Sequence, residues 1–129
     1  MTTVPTRSGV PQYPLEHYQR DYSDRHLLHG ALAKWAHVKP EALAIINADT
    51  KVQVTWLEFE RTATAMALKL LDMGFKKGDF FATSLPLLTE HIFLEYACFK
   101  IGVIHTPLDL RLKPPEVIRC LSLVKAKGY

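Results

Sequence analysis

The sequence has few cysteines and no long apolar run. Its two cysteines are Cys98 and Cys120, and no segment approaches the 18 consecutive apolar residues that indicate a membrane helix. The first 22 residues are polar, contain three prolines and lack the apolar stretch of a secretory signal. Because nothing in the sequence indicates secretion, we expect both thiols to be reduced and buried rather than joined in a disulfide. The sequence therefore predicts a cytoplasmic protein without a membrane span.

Glycine is also sparse and widely spaced. The six glycines are Gly9, Gly30, Gly74, Gly78, Gly102 and Gly128, and no two of them are closer than four residues. Phosphate-binding loops need glycines close together so that successive backbone N–H groups can approach the phosphate. The sequence therefore contains no glycine-rich nucleotide loop. Ser84 likewise lacks the Gly-x-Ser-x-Gly surroundings of a serine nucleophile.

The net charge of +3 is small and unevenly placed. Residues 1–99 hold 10 basic and 11 acidic side chains, whereas residues 100–129 hold 6 basic and 2 acidic ones. A nucleic-acid surface needs basic residues clustered with aromatic ones, and Tyr129 is the single aromatic residue near this basic end. A solvated surface is the favoured interpretation, and we expect no nucleic-acid partner. The alternative, a small nucleic-acid binder, requires strongly salt-dependent affinity.

The chain has 129 residues, of which 48% are hydrophobic and 22% charged, values typical of a globular domain. We expect residues 1–22 to form an extended or disordered arm and residues 23–129 to fold. Ser23 or Asp24 can cap a first helix, which Lys39-Pro40 ends. Its predicted apolar stripe is Leu28, Ala31, Leu32 and Trp35.

A hairpin and the clearest helix of the sequence follow. Residues 42–46 and 51–55 read as two short strands around an Asn47-Ala48-Asp49 turn. Thr55 and Glu58 have the spacing of a capping box, and Gly74 suits the left-handed position after the helix. The buried stripe predicted between them is Phe59, Ala63, Met66, Leu70 and Met73.

From residue 80 onward the order is strand, helix, strand, helix. The strands are predicted at residues 80–85 and 103–106, and the helices from Thr89 to Gly102 and from Pro114 to near Lys127. This order predicts parallel pairing with right-handed crossovers, and a further strand is expected where the sequence ends at Tyr129. The expected fold class is therefore α/β: an incomplete parallel sheet with covering helices, preceded by a helix and a short β-hairpin.

Few side chains suggest chemistry. His26 and His29 are three residues apart on the first helix, but a surface pair is favoured over a metal site because no third ligand is near in sequence. His105 ends a core strand, where α/β sheets form binding crevices, although a packed or half-exposed histidine is the favoured interpretation. Asp79 and Asp109 are predicted turn formers, and Phe80 and Phe81 are predicted sheet core.

Two segments carry a family resemblance. VTWLEFERTATAMALKLLDMGFKKGDFFATSLP (residues 54–86) and FKIGVIHTPLDLRL (residues 99–112) resemble the N-terminal part of the adenylate-forming, AMP-binding superfamily, which includes the acyl-CoA synthetases. The matches are Thr55-Trp56-Leu57-Glu58-Phe59, the Gly74-x-x-x-Gly78-Asp79 loop and the stretch from Lys100 to Asp109. The resemblance covers residues 23–129. Leu87 departs from it, since the family commonly places Asn after Leu-Pro.

The resemblance implies the fold and the chemistry of a parent enzyme. Such enzymes use MgATP to convert a carboxylic acid, here expected to be a fatty or other apolar acid, into an acyl-adenylate, and coenzyme A then displaces AMP. The family's Ser/Thr/Gly-rich phosphate loop, its adenine-binding motifs and its C-terminal lysine have no counterpart among these 129 residues. We therefore assign no catalytic, cofactor-binding or metal residue, and expect a scaffold fragment that binds no ATP, Mg²⁺ or coenzyme A and is inactive alone.

A second hypothesis belongs to a different functional class. The chain could be a non-catalytic interaction module or a split-gene subunit that pairs with the missing C-terminal part or with a second copy. An incomplete parallel sheet exposes an edge of unpaired backbone groups, and such an edge favours pairing with another chain.

Overall fold

Four helices and four strands make up residues 27–129, which together with Glu16, Gln19 and Arg20 are the residues that the computed structural model describes. The elements are α1 (Leu28–Val38), β1 (Leu43–Ile46), β2 (Gln53–Thr55), α2 (Trp56–Asp72), β3 (Phe80–Thr83), α3 (Thr89–Ile101), β4 (Ile104–Pro107) and α4 (Pro114–Val124). Glu16, Gln19 and Arg20 have helical backbone conformations. Most of the predicted arm and the proposed caps Ser23 and Asp24 lie outside the described residues.

Helix α2 begins and ends as its sequence predicts. The Glu58 N–H donates to Thr55 Oγ1 at 3.2 Å, and the Thr55 N–H donates to Glu58 Oε2 at 2.8 Å, which completes the capping box. Gly74 follows the helix with a φ of +86°. Four side chains of α2 are buried and form one continuous face, namely Phe59, Ala63, Ala67 and Leu70. Met66 is only partly buried and Met73 is 60% exposed, so the buried face is rotated slightly from the predicted stripe.

Helix α1 buries only one residue of its predicted stripe. Leu32 and Ala36 are buried, whereas Leu28 is 55% exposed and Ala31 is exposed. Trp35 is also exposed, and its ring lies at the rim, with its centroid 6.2 Å from that of Trp56. The prediction of Leu32 is confirmed, whereas the rest of the predicted stripe is exposed because the buried face continues through Ala36, one turn after Leu32.

The packing of α3 against α2 forms the centre of the molecule. The Phe59 ring of α2 lies between Phe93 and Tyr96 of α3, with centroid distances of 5.5 and 4.9 Å. Further along the same pair of helices, a second cluster gathers Ala67, Leu70, Phe75, Ala97, Cys98 and Val103. Helix α3 ends at Gly102, whose φ is +71°. The two helices therefore share a core that extends along their length.

The remaining elements form two small sheets. Strands β1 and β2 pair antiparallel around the Asn47 turn, in which Asn47 Oδ1 accepts the N–H groups of Asp49 and Thr50. Strands β3 and β4 pair parallel, with Phe81 opposite His105 and Thr83 opposite Pro107. This arrangement confirms the predicted fold class, although β3 ends two residues earlier than expected.

A third parallel segment begins beside β3, on the side away from β4. Phe81 and Gly128 form a parallel bridge, in which the Lys127 N–H donates to the Phe80 carbonyl and the Ala82 N–H donates to the Gly128 carbonyl. Helix α4 ends at Val124, earlier than predicted, and Lys125 follows in a left-handed conformation. The order β4, β3, residue 128 makes β3 the central strand, with parallel partners on both sides.

Candidate functional site

A cluster of polar side chains lies between the parallel strands and the first turns of α3. Thr83 Oγ1 is 3.2 Å from His91 Nε2 and 3.0 Å from His105 Nε2, and the two Nε2 atoms are 3.3 Å apart. We call Thr83, His91 and His105 the edge triad. Thr83 is the last residue of β3, so the cluster lies at the carboxyl edge of the strands, where open α/β sheets commonly bind ligands.

His105 contributes an almost fully enclosed side chain to the edge triad. Its side chain is 2% exposed, and its Nδ1 is buried without a hydrogen-bond partner. Glu95 Oε1 lies 3.8 Å from that nitrogen, on a side chain that is 42% exposed. Burial lowers the pKa of His105 below its ordinary value, as does the neighbouring His91, and Glu95 partly offsets both effects. His105 is therefore held in its neutral form, and the prediction of a packed histidine is confirmed.

Sequence reasoning found one member of this cluster and missed the others. His91 and Glu95 are four residues apart and therefore lie on the same face of α3. That spacing was the available signal, but a histidine and a glutamate four residues apart usually mark a solvated helix face. Their role becomes visible when β4 places His105 opposite them.

Ser84 and Tyr129 meet at the same edge. The Tyr129 hydroxyl donates to Ser84 Oγ at 2.9 Å, which ties the end of the described chain to the residue after β3. This contact pairs Ser84 with a tyrosine hydroxyl and gives it a structural role.

The two predicted turn-forming aspartates have that role. Asp79 Oδ2 accepts the Lys76 N–H at 2.9 Å and the Lys127 ammonium at 3.0 Å, and these contacts lower the pKa of Asp79. Lys127 also donates to the Gly74 carbonyl. Asp109 Oδ1 accepts the Arg111 N–H at 2.9 Å, and the Arg111 guanidinium holds the pKa of Asp109 below its usual value.

The prediction of two buried thiols is confirmed for Cys98 only. Cys98 is fully buried in the core, and burial together with the nearby Glu95 carboxylate raises its pKa to about 11. Cys120 is half-buried, and both thiols are free. A thiol with so high a pKa stays protonated at neutral pH and is a poor nucleophile.

Gly74 and Gly78 lie in turns that form hydrogen bonds within the chain. The amides of the glycine turns are used internally, since the Gly78 N–H donates to the Gly102 carbonyl at 2.8 Å and the Gly74 N–H to the Leu71 carbonyl at 2.9 Å. Within residues 27–129 and the three helical residues before them, no three His, Cys, Asp or Glu side chains could hold a metal ion. The predicted pair His26 and His29 lies partly outside the described residues, because His26 does.

The surface beside α4 carries an apolar groove next to the third parallel segment. It has a volume of about 430 Å³ and is lined by Leu112, Pro114, Val117, Ile118, Leu121 and Tyr129. Helix α4 buries none of its residues fully, and Ile118 and Leu123 are 63% and 74% exposed.

Among the described helices, none is both long and apolar enough to cross a bilayer.

Comparison with known proteins gives consistent matches over this part of the chain. Residues 32–129 match the family described as AMP-binding enzyme. Long-chain-fatty-acid–CoA ligase FadD13 of Mycobacterium tuberculosis is 33% identical over 91 residues, which are 70% of this chain and 18% of that protein. Propionate–CoA ligase of Salmonella typhimurium is 31% identical over 84 residues, 62% of this chain and 13% of that protein. The chain thus spans less than a fifth of the length of these relatives.

Solved structures agree in fold. The inhibitor-bound N-terminal domain of FACL13 from Mycobacterium tuberculosis superposes with a TM-score of 0.74 at 31% identity, covering 78% of this chain and 25% of that one. O-succinylbenzoate coenzyme A synthetase (MenE) from Bacillus subtilis, in complex with AMP, superposes with a TM-score of 0.65 at 31% identity, covering 70% and 23%. Because the family match takes in most of the chain, this protein belongs to the AMP-binding enzyme family of adenylate-forming ligases, and its fold is that of the N-terminal part of an acyl-CoA synthetase.

Proposed function

We propose that this chain is an N-terminal scaffold segment of an ATP-dependent carboxylic acid–CoA ligase that acts in the cytoplasm. The observation that carries the proposal is the match over residues 32–129, together with the small share of each relative that the chain spans. The parent enzyme would form an acyl-adenylate and then a thioester, with ATP, Mg²⁺ and coenzyme A as its cofactors and reactants. In this proposal the described residues supply structure rather than catalytic groups.

A fatty acid is the proposed substrate class. The support is the similarity to a long-chain-fatty-acid–CoA ligase at 33% identity. Propionate–CoA ligase is similar at 31% identity, so short acids are the competing choice. The choice between fatty and short acids concerns the parent enzyme. In this chain the apolar groove beside α4 lies on a surface and is not an enclosed acyl pocket.

The inactivity of the isolated chain can be tested directly. Isothermal titration of the 129-residue chain with ATP and Mg²⁺ is expected to show no binding in the micromolar range, since the amides of its glycine turns are already bonded within the chain. Incubation with palmitate, ATP, Mg²⁺ and coenzyme A is expected to yield no thioester. A full-length family ligase run in parallel confirms that the assay works. Micromolar ATP binding or thioester formation by the chain would overturn this part of the proposal.

The second candidate function is pairing without catalysis. The observations that favour it are the apolar groove beside α4 and the adjoining parallel segment at Gly128, which pairs with β3 on one side. Size-exclusion chromatography with light scattering distinguishes a paired chain from a monomer. A mass twice that of the chain, reduced to a monomer by Ile118→Lys, would favour pairing through this surface. A monomer at all concentrations would count against self-pairing.

A further inference from the structure

The hydrogens of the edge triad can be arranged among its three polar atoms in more than one way. Three atoms, Thr83 Oγ1 and the Nε2 atoms of His91 and His105, lie within 3.0–3.3 Å of one another. A threonine hydroxyl carries one hydrogen, and a neutral imidazole carries one on either ring nitrogen. Each arrangement of these hydrogens sets which group donates, so the cluster is sensitive to the number of protons bound.

The neutral cluster satisfies its contacts in one simple arrangement. His105 carries its hydrogen on Nδ1, which faces Glu95 Oε1 at 3.8 Å, and its Nε2 accepts the Thr83 hydroxyl. The His91 Nε2–H then donates to Thr83 Oγ1. Every close contact joins a donor to an acceptor, and no charge is buried.

The edge triad can bind one added proton and keep its hydrogen bonds, but it cannot do so with two. When His105 is protonated, its Nε2–H donates to Thr83 Oγ1, the hydroxyl rotates to donate to a neutral His91, and the charge lies beside Glu95. When both rings are protonated, two Nε2–H groups face each other at 3.3 Å and the hydroxyl hydrogen has no acceptor within the triad. Two positive charges at that separation in a partly buried site repel strongly.

We propose that the edge triad is a pH-sensitive link that holds the first turns of α3 against β3 and β4 and separates when both imidazoles are protonated. His91 belongs to α3, Thr83 to β3 and His105 to β4, so the same three contacts join all three elements. The charged group that faces the triad is Glu95 of α3, one turn after His91. Its single carboxylate can balance one imidazolium but not two.

The direction of the pH effect follows from the lowered pKa of His105. In the unfolded chain a histidine titrates near pH 6.5, whereas in the folded chain burial keeps His105 neutral to lower pH. The unfolded state therefore takes up a proton first, and the folded state loses stability as the pH falls below about 6.5. Each proton excluded from the folded state lowers the folding equilibrium constant by up to about tenfold per pH unit in this window.

The experiment compares urea unfolding of the full chain at pH 7.5 and 5.5. The wild-type folding constant is expected to fall about threefold to tenfold more than that of His105→Gln. His37→Gln, on the exposed side of α1, is the matched control and should keep the wild-type loss. Glu58, Asp79 and Asp109 have lowered pKa values and titrate below this range, so they do not contribute.

A second measurement does not depend on the folding of a variant. Nuclear magnetic resonance of the wild-type chain should show that the His105 ring stays neutral to a lower pH than an ordinary histidine, and that contacts between α3 and β4 are lost once the triad takes up protons. Protonation of His105 in the ordinary histidine range with these contacts intact would overturn the proposal. Equal pH dependence of wild type and a folded His105→Gln variant would overturn it as well.

Discussion

Gly102 ends α3 in a left-handed conformation, and β4 begins two residues later. Its φ of +71° is strained for any residue with a Cβ, and a Cβ built there would lie 2.8 Å from Lys77 Cγ. We expect Gly102→Ala to lower the free energy of unfolding by about 1–2 kcal/mol, because the backbone strain adds to the displacement of Lys77. Urea unfolding monitored by circular dichroism measures this difference.

Gly30 is the matched control for the same chemical change. It lies within α1 at negative φ, and an added Cβ would meet nothing nearer than Leu27 Cβ at 3.7 Å. Gly30→Ala should therefore raise the free energy of unfolding by about 0.5–1 kcal/mol through helix propensity. Equal effects of the two substitutions would show that backbone conformation at residue 102 does not decide the outcome.

Local chemistry was readable at the residue scale, whereas groups that meet through the fold were not. The capping box of Thr55 and Glu58 depends on residues three apart, and the structure contains it as predicted. The edge triad joins residues 83, 91 and 105, and their meeting depends on the parallel register of β3 and β4. No spacing in the sequence specifies that register.

Helices α2 and α3 are joined by a partly buried ion pair as well as by their apolar faces. Lys100 Nζ lies 2.6 Å from Glu60 Oε1, and the two side chains are 14% and 22% exposed. The other carboxylate oxygen, Oε2 of Glu60, is buried without a hydrogen-bond partner. Removal of the lysine would therefore leave a partly buried carboxylate without its ion-pair partner.

Comparison of a single and a double variant tests this ion pair. Lys100→Met is expected to lower the free energy of unfolding by about 1–3 kcal/mol, and the double variant Glu60→Gln, Lys100→Met by less, since no unpaired charge remains. Lys69→Met breaks an exposed pair, with side chains 70% and 73% exposed, and should cost less than about 0.5 kcal/mol. A double variant that is less stable than Lys100→Met would contradict the argument.

The order and type of the elements were predictable from the sequence, but the orientation of α1 was not. Helix ends depend on local signals such as Pro40 and Gly102, which act wherever the chain folds. The buried face of α1 depends on its contact with α2 and α3. Leu32 and Ala36 make that contact, and the larger Trp35 remains at the rim beside Trp56.

At the scale of the whole molecule, two core clusters are connected by α2. The first contains Leu32, Val54, Phe59 and Ala63, with Trp56 packed against it. The second contains Leu70 and Phe75 together with residues of α3 and Val103, the residue before β4. Because one helix contributes to both clusters without a break, we expect them to unfold together rather than as separate units.

The two tryptophans make this cooperativity measurable. Trp35 and Trp56 are the only tryptophans of the chain and lie near each other beside the first cluster, so fluorescence reports on that end. Leu70→Ala removes a buried side chain from the second cluster and should cost about 2–4 kcal/mol. If the clusters unfold together, the fluorescence midpoint in urea falls by the same amount as the circular-dichroism midpoint. Leu71→Ala, at a 46% exposed neighbour, should shift both midpoints little. A Leu70→Ala variant whose fluorescence midpoint stays at the wild-type value would show instead that the hairpin end folds independently of the second cluster.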